Sequence, residues 1–328
     1  MKVLLQSDPA SKTLFLATRP LPVPVPNSTE HLIRVHAAAL TSGELLWMKN
    51  FPPPASETKG KELVPCYDMA GTVITAPSDS PFQPGTEVYG RTHYYRTAAG
   101  REYTICDTYE LAFKPKTLSF VQAATVPMSV ETAYQALFVQ APLQPVAGTG
   151  ARGKRIFVTA GSGAVGMWVV QLAKWAGAEV VATGSKDRFD FVKSLGASEV
   201  LDYRTADVKK WVEAEAGRQV DVVIDCIGWQ ALADAWWVVK EGGTLISIFQ
   251  PPEGMKPADL PTRDVKNLFF IQEPSGEHAG KVGSLIDAGG FVTALDSVWP
   301  VEKFEEAVPR MESGKARGKV VIEFVPHV

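Results

Sequence analysis

Residues 1 to 128 alternate apolar and polar positions over short spans. Leu32-Ile33-Arg34-Val35-His36-Ala37, Gly71-Thr72-Val73-Ile74 and Glu87-Val88-Tyr89 are separated by Pro and Gly, as at Pro20 to Pro26 and Pro84-Gly85. Repeated short strands with turn signals between them predict a compact, barrel-like β domain. The Pro-rich, polar stretch Asn50 to Gly60 reads as a surface loop able to border a pocket. From Ser119 the period lengthens. Ser119-Phe120-Val121-Gln122 has the Ser/Gln spacing of a capped helix start, and a helical stretch from Ser129 to Phe138 leads to the loose segment Ala141 to Gly153, the expected domain junction.

Beyond the junction the pattern becomes βαβα. Arg155-Ile156-Phe157-Val158-Thr159 is a strand run, Gly161-Ser162-Gly163-Ala164-Val165-Gly166 a Gly-rich turn, the stretch to Trp175 an amphipathic helix, and Glu179-Val180-Val181-Ala182-Thr183 a second strand. Further strands are expected at Glu199 to Leu201, Val220 to Asp225, Thr244 to Phe249 and Asn267 to Ile271, with helices between them, one ending at Leu195-Gly196. About six strands alternating with helices make a doubly wound parallel sheet of Rossmann type. The tail adds helices at Glu277 to Ala288 and Val301 to Met311, a run around Leu295 to Val298 and a final strand, Lys319 to Phe324. That is more than a dinucleotide domain needs, so the tail is expected to return to the first domain. The fold class is therefore α/β, a doubly wound sheet plus a β-rich domain, divided as 1–128, 129–275 and 276–328.

Between a strand and a helix, GxGxxG has a mechanical meaning. The first Gly permits the tight turn, the second lets backbone approach a pyrophosphate, and the third lets helix pack on strand. The helix N-terminus then offers free N–H groups to the phosphates. About 24 residues after Gly161, where an acid for the ribose 2′-hydroxyl is usual, stand Ser185 and Lys186, with Arg188 close by. A carboxylate there would repel a 2′-phosphate by about 4 kcal/mol at about 4 Å and an effective dielectric of about 20, whereas Lys and a hydroxyl attract it. NADP(H) is expected rather than NAD(H). Lys186 and Arg188 also read as solvated first-turn residues beside Asp187.

Composition narrows the partners. The 33 basic and 36 acidic residues are scattered and leave a formal charge of −3, with none of the basic footprint of a nucleic-acid binder. Cys66, Cys106 and Cys226 are far apart and lack CxxC spacing, so neither a disulfide framework nor a structural zinc cluster is legible. No signal peptide is legible near Met1, and glycines, Ser and Thr cut the longest uncharged stretch, Ile156 to Ala173, into strand, turn and helix. A cytoplasmic protein without membrane or nucleic-acid partners is expected.

Pro65-Cys66-Tyr67-Asp68-Met69-Ala70-Gly71, Gly85 to Gly90, Ala123 to Leu137, the GSGAVG loop, Leu195-Gly196-Ala197 with Asp202-Tyr203, Asp225-Cys226-Ile227-Gly228 and Arg317 to Val321 occur in that order. Together they resemble the medium-chain dehydrogenase/reductase superfamily, in its zinc-independent quinone oxidoreductase-like branch. The resemblance implies a GroES-like first domain, a tail that rejoins it and an active site in the cleft between the domains. It implies that Ser162 to Val165 hold the pyrophosphate, that Ser185, Lys186 and Tyr203 hold the 2′-phosphate and adenosine end, and that Thr132, Ile227 and Phe249 lie near the nicotinamide. Tyr203 also reads as an aromatic residue capping a strand end.

The zinc-dependent alcohol dehydrogenases of this superfamily use an early Cys and a His-Glu pair. Here Thr41-Ser42-Gly43-Glu44 supplies no early Cys, and Tyr67 stands where the His would be. Cys66 and His93 alone fall short of the three or four ligands zinc needs, so no metal is expected. Without a metal to polarise an unactivated carbonyl, the resemblance implies hydride transfer from NADPH to a quinone or to the β-carbon of an α,β-unsaturated carbonyl, a small electrophilic acceptor. Tyr67 is the candidate proton donor or oxygen holder, with burial in the wall as the structural alternative. Thr41 is the second candidate, and Trp47, Tyr94, Tyr95 and Gln250 are placed to shape a pocket. A zinc-free carbonyl or alcohol oxidoreductase and a non-catalytic NADPH-binding redox sensor remain open. The strand Asn267 to Ile271 is expected at a sheet edge, where pairing across a two-fold axis would make a homodimer.

Overall fold

The computed structural model describes residues 1–58 and 60–324. Lys59, within the expected loop from Asn50 to Gly60, lies outside the described residues. The chain forms two compact units, one of Met1–Glu131 with Glu273–Val328 and the other of Thr132–Gln272. Along the chain the first unit opens with β1 (Lys2–Gln6) paired to β2 (Leu14–Thr18). It continues with β3 (Glu30–Leu40), a short helix α1 (Trp47–Asn50), β4 (Asp68–Thr75), β5 (Glu87–Arg91), β6 (Tyr103–Asp107) and β7 (Leu111–Phe113).

The capped start at Ser119 is present. Ser119 Oγ accepts from Gln122 N–H and Gln122 Oε1 from Ser119 N–H at the head of α2 (Phe120–Ala123). Helix α3 (Pro127–Gln135) follows, and the division between units falls inside it. The segment 141–153, expected as the junction, is instead part of the second unit. Gly148 N–H donates to Trp175 O and Ala151 N–H to Ala176 O, which ties this loose-looking stretch to the end of a helix.

The second unit holds β8 (Arg155–Val158), α4 (Gly166–Trp175), β9 (Glu179–Gly184), α5 (Phe189–Ser194), β10 (Glu199–Asp202), α6 (Val208–Glu213), β11 (Val220–Asp225), α7 (Trp229–Val238), β12 (Val239–Ser247) and β13 (Val265–Phe269). Its strands are all parallel, in the order β10-β9-β8-β11-β12-β13. This is the doubly wound order, and it reverses direction between β8 and β11, beside the Gly-rich turn. Two expectations are corrected. Helix α4 is buried over Gly166 to Ala173 rather than amphipathic, because it packs on β8 and β9 and also on the π-helical turn Ala136–Gln140. The last strand starts and ends two residues earlier than expected, since pairing with β12 runs from Gly243↔Val265 to Ser247↔Phe269. Its other edge carries no strand among the described residues.

The tail rejoins the first unit through α8 (Gly276–Asp287), β14 (Leu295–Pro300), α9 (Phe304–Glu312) and β15 (Lys319–Glu323). β15 lies beside β3, with Val320↔Leu40 and Ile322↔Ala38 in register, so the end of the chain completes the sheet β14-β15-β3-β4-β5-β7. β3 and β4, buried over most of their length, contribute Ile33, Val35, Met69 and Val73 to one core, joined by Val320 and Ile322 from the tail. No helix among the described residues is long and apolar enough to cross a membrane.

Candidate functional site

In the second unit two of the motif glycines stand where a side chain would not fit. A Cβ on Gly161 would stand 2.7 Å from the Ala182 methyl, and one on Gly166 would stand 2.1 Å from the Ala160 carbonyl oxygen, so strand and helix close on this turn only without side chains. Gly163 has more room, 3.1 Å from the same oxygen. Ala160, just ahead of the motif, is held at φ 53°, a left-handed conformation costing an L-residue roughly 1 kcal/mol. Gly161 N–H donates to Thr183 O and Gly163 N–H to Ala160 O. The N–H groups of Ser162, Ala164 and Val165 have no hydrogen-bond partner among the described residues. They form a cradle for an anion ahead of the α4 N-terminus. The loop therefore fits a pyrophosphate.

The ends of β9 and β10 bring Ser185, Lys186 and Tyr203 together. Asp202 pairs with Gly184, and Tyr203 N–H donates to Gly184 O. Lys186 is exposed and without an ion pair among the described residues, while the Arg188 guanidinium lies 4.1 Å from the Phe191 ring centroid. Tyr203 is 59% exposed, with the Arg204 guanidinium 5.0 Å from its ring centroid. These residues fit the charged and aromatic end of a nucleotide.

Around the next strand ends, Asp225 is the organiser. It is fully buried and accepts from Thr159 Oγ1 at 2.8 Å, Ser247 Oγ at 2.9 Å, Gly228 N–H at 2.9 Å and Ile227 N–H at 3.2 Å. Thr159 Oγ1 in turn accepts from Cys226 N–H, and Ser247 Oγ from Phe249 and Gln250 N–H. One carboxylate thus shapes the loops at the ends of β11 and β12. Gly228 (φ 78°) and Trp229 (φ 44°) turn the chain sharply there, and Trp229 packs on Phe249 with centroids 4.3 Å apart. Ile227, Phe249 and Trp229 are all exposed at this edge. Thr132 is buried in α3. Asp225, Thr159 and Trp229 were not singled out as site residues, since their roles depend on three strands converging.

In the first unit Tyr67 is buried, in an aromatic group with Trp47 and Tyr94 whose ring centroids lie 5.5 and 5.9 Å away. Its hydroxyl accepts from Lys61 Nζ at 3.1 Å, and no described residue accepts its proton. Burial drives the Tyr67 phenol far above its usual pKa, so it stays protonated. Tyr95 joins the edge of this group, 5.9 Å from Tyr94. Sequence reasoning missed Lys61, for which only its nearness in sequence to Tyr67 was a signal.

Thr41 is placed differently. Its hydroxyl accepts from Lys319 Nζ at 2.6 Å and donates to Met128 Sδ at 3.5 Å. Lys319 Nζ also lies 2.9 Å from Asp68, whose other oxygen accepts from Met128 N–H. Glu44 completes the cluster by accepting from Cys66 N–H. A zinc ion does not fit here. Among the described residues no group of three His, Cys, Asp or Glu is arranged to hold a metal. A lysine ammonium already faces Asp68.

A family profile described as zinc-binding dehydrogenase matches residues 195–322. A probable zinc-binding oxidoreductase, mitochondrial, of Arthroderma benhamiae is 48% identical over 318 residues, covering 96% of this chain and 95% of that one. A chloroplast envelope quinone oxidoreductase homolog of Arabidopsis thaliana is 31% identical over 92% of each chain. Among solved structures, the quinone oxidoreductase of Coxiella burnetii superposes with a TM-score of 0.81 at 26% identity, covering 99% of both chains.

Burial raises the Glu44 carboxyl to about 8. A folded pKa above the unfolded value means that the native state holds a proton the unfolded chain releases. The stabilisation is complete below about pH 4.5 and is lost as pH rises through about 8, at no more than about 1.4 kcal/mol per pH unit. Glu44→Gln keeps the shape and removes the titration. Urea midpoints should therefore fall less between pH 5 and 8 in this variant than in the wild type; parallel curves would refute the assignment.

Proposed function

Because this chain belongs to the medium-chain dehydrogenase/reductase superfamily, in its quinone oxidoreductase-like branch, and is an oxidoreductase of that type, we propose that it uses NADPH, without zinc, to reduce an activated C=C bond or a quinone. Tyr67 carries the reading, as a buried phenol with a proton to give and, among the described residues, no metal-ligand set around it. Ser162 to Val165 would hold the pyrophosphate, with Gly161, Gly163 and Gly166 making room for it. Ser185, Lys186 and Tyr203 would hold the 2′-phosphate and adenosine end, and Ile227 and Phe249, with Thr132, the nicotinamide half. When bound, NADPH supplies the hydride. The aromatic group of Trp47, Tyr67 and Tyr94 suits a flat, electron-poor acceptor, and Tyr67 delivers the proton or holds the developing oxyanion. Thr41, whose hydroxyl is committed to Lys319 and Met128, supports the arrangement from behind.

Three free thiols, two of them buried, support a reducing compartment such as the cytoplasm. The Arthroderma relative is named mitochondrial. The open edge of β13 supports a homodimer formed by pairing of two such strands.

Three measurements test this reading. NADPH oxidation should be seen with at least one member of a panel of quinones and enones; tight NADPH binding without turnover would point to a nucleotide-binding sensor instead. Lys186→Ala should lower the preference for NADPH over NADH by about tenfold or more, for a lost contact of about 1.5 kcal/mol or more; an unchanged ratio rejects the 2′-phosphate role. Light scattering at micromolar concentration should give twice the chain mass, and a monomer mass removes the dimer.

A further inference from the structure

Lys61 lies on the chain leading into β4, half-buried, with its ammonium against aromatic rings. It donates to Tyr67 Oη at 3.1 Å and to the Tyr94 carbonyl oxygen. The same nitrogen is 4.5 Å from the Tyr94 ring centroid and 5.4 Å from that of Tyr67. No carboxylate pairs with it among the described residues. A half-buried ammonium without a carboxylate partner is costly, and here two hydrogen bonds and two ring faces are its compensation. Of its partners, Tyr67 is the one with chemistry to perform.

Resting on the reductase reading above, the geometry points to Lys61 as the positioning residue for proton delivery: it orients the Tyr67 hydroxyl and stabilises the phenolate left when that proton moves. Hydride arriving at the acceptor leaves an enolate or quinol anion. The Tyr67 O–H bond breaks, its proton bonds to that anion, and the new phenolate charge faces the Lys61 ammonium at hydrogen-bond distance. A proton from solvent then restores the phenol. The sum is acceptor plus NADPH plus one proton giving reduced acceptor plus NADP⁺. Hydrogen bonds from a charged donor are roughly twice as strong as neutral ones, so the interaction strengthens as the phenolate forms, which is the requirement for lowering a barrier.

Burial first, and then the nearby Arg91 charge, lowers the Lys61 pKa to about 8. The other titratable groups around it are Tyr67 and Tyr94, both pushed upward by burial, and Glu44, which acts on Tyr67 and is itself raised to about 8. The charged form of Lys61 is the active one, so kcat should fall as pH rises through about 8.

The test is kcat against pH for the full-length protein with an acceptor it reduces, together with melting curves and NADPH binding by fluorescence. Lys61→Met should lower kcat by about 30-fold or more, short of the roughly 100- to 10,000-fold that a general acid itself contributes, with NADPH affinity unchanged. Lys61→Arg keeps the charge throughout this range; it should retain a substantial part of kcat and lose the fall near pH 8, and it serves if the Met variant does not fold. Glu44→Gln should keep that fall, which separates the two groups. Because Lys61 acts through Tyr67, the pair Lys61→Met with Tyr67→Phe should be no slower than Tyr67→Phe alone. Wild-type kcat and an unchanged pH limb in both Lys61 variants, or losses that multiply in the double variant, would overturn the assignment while leaving the reductase reading intact. A wild-type protein that reduces no quinone or enone overturns both.

Discussion

A lysine ammonium buried against a carboxylate joins β15 to β4, the strand that begins directly after Tyr67. Lys319 and Asp68 are 6% and 0% exposed in their side chains. Burying two charges costs several kcal/mol each, and their attraction need not recover more than that, so the pair is a poor source of net stability. Its leverage lies in what happens when one partner is lost, at about 3–5 kcal/mol for a stranded charge. β15 is thus held in register beside β3, and the tail becomes part of the first unit's core. The same two side chains fix Thr41 and the Met128 backbone, so the segment presenting Tyr67 is held from three directions.

The second unit solves a similar problem with a single acid. Asp225 gathers four donors from the ends of three neighbouring strands and their loops. Parallel strands end without hairpins, so their C-terminal loops need another means of being fixed, and a carboxylate with several acceptor sites supplies it. Each unit therefore uses buried carboxylates to fix the backbone next to the residues assigned to ligands. None of these carboxylates needs to touch a ligand to decide where the loops stand.

How much of this was legible in the sequence depends on whether the cause is local. The Ser119/Gln122 box and the spacing Gly161-Gly163-Gly166 impose their geometry within a few residues, and both were readable. The absence of an acid at Ser185-Lys186 was readable too, because these residues leave the end of β9 directly and the strand fixes their place. Lys61 over Tyr67, Lys319 beside Asp68 and Asp225 between Thr159 and Ser247 join segments that only the fold brings together, and no periodicity marks them. Thr41 shows the same limit from the other side. The sequence marks its place, but only the structure shows that its hydroxyl is already engaged. Helix α4 misled because apolar spacing reports one buried face, whereas the π-helical turn Ala136–Gln140 covers a second.

Backbone strain falls on the same segments. Of the residues other than glycine with positive φ, Cys66 precedes Tyr67, Ala160 precedes the Gly-rich loop, and Trp229 comes after Gly228 at the end of β11. Asn27 is the fourth, in a surface turn where Asn tolerates this conformation. Three left-handed residues at roughly 1 kcal/mol each are tolerated only where surrounding contacts over-determine the chain. Cys66 N–H is held by Glu44 and its carbonyl by Ala99 N–H, and Ala160 N–H by Thr183 Oγ1. The turn at Cys66 is what brings a side chain at position 67 back toward Trp47 and Lys61. The buried Glu44, which makes no contact with Tyr67 but holds the backbone before it, is therefore as much a determinant of this wall as the aromatic residues themselves.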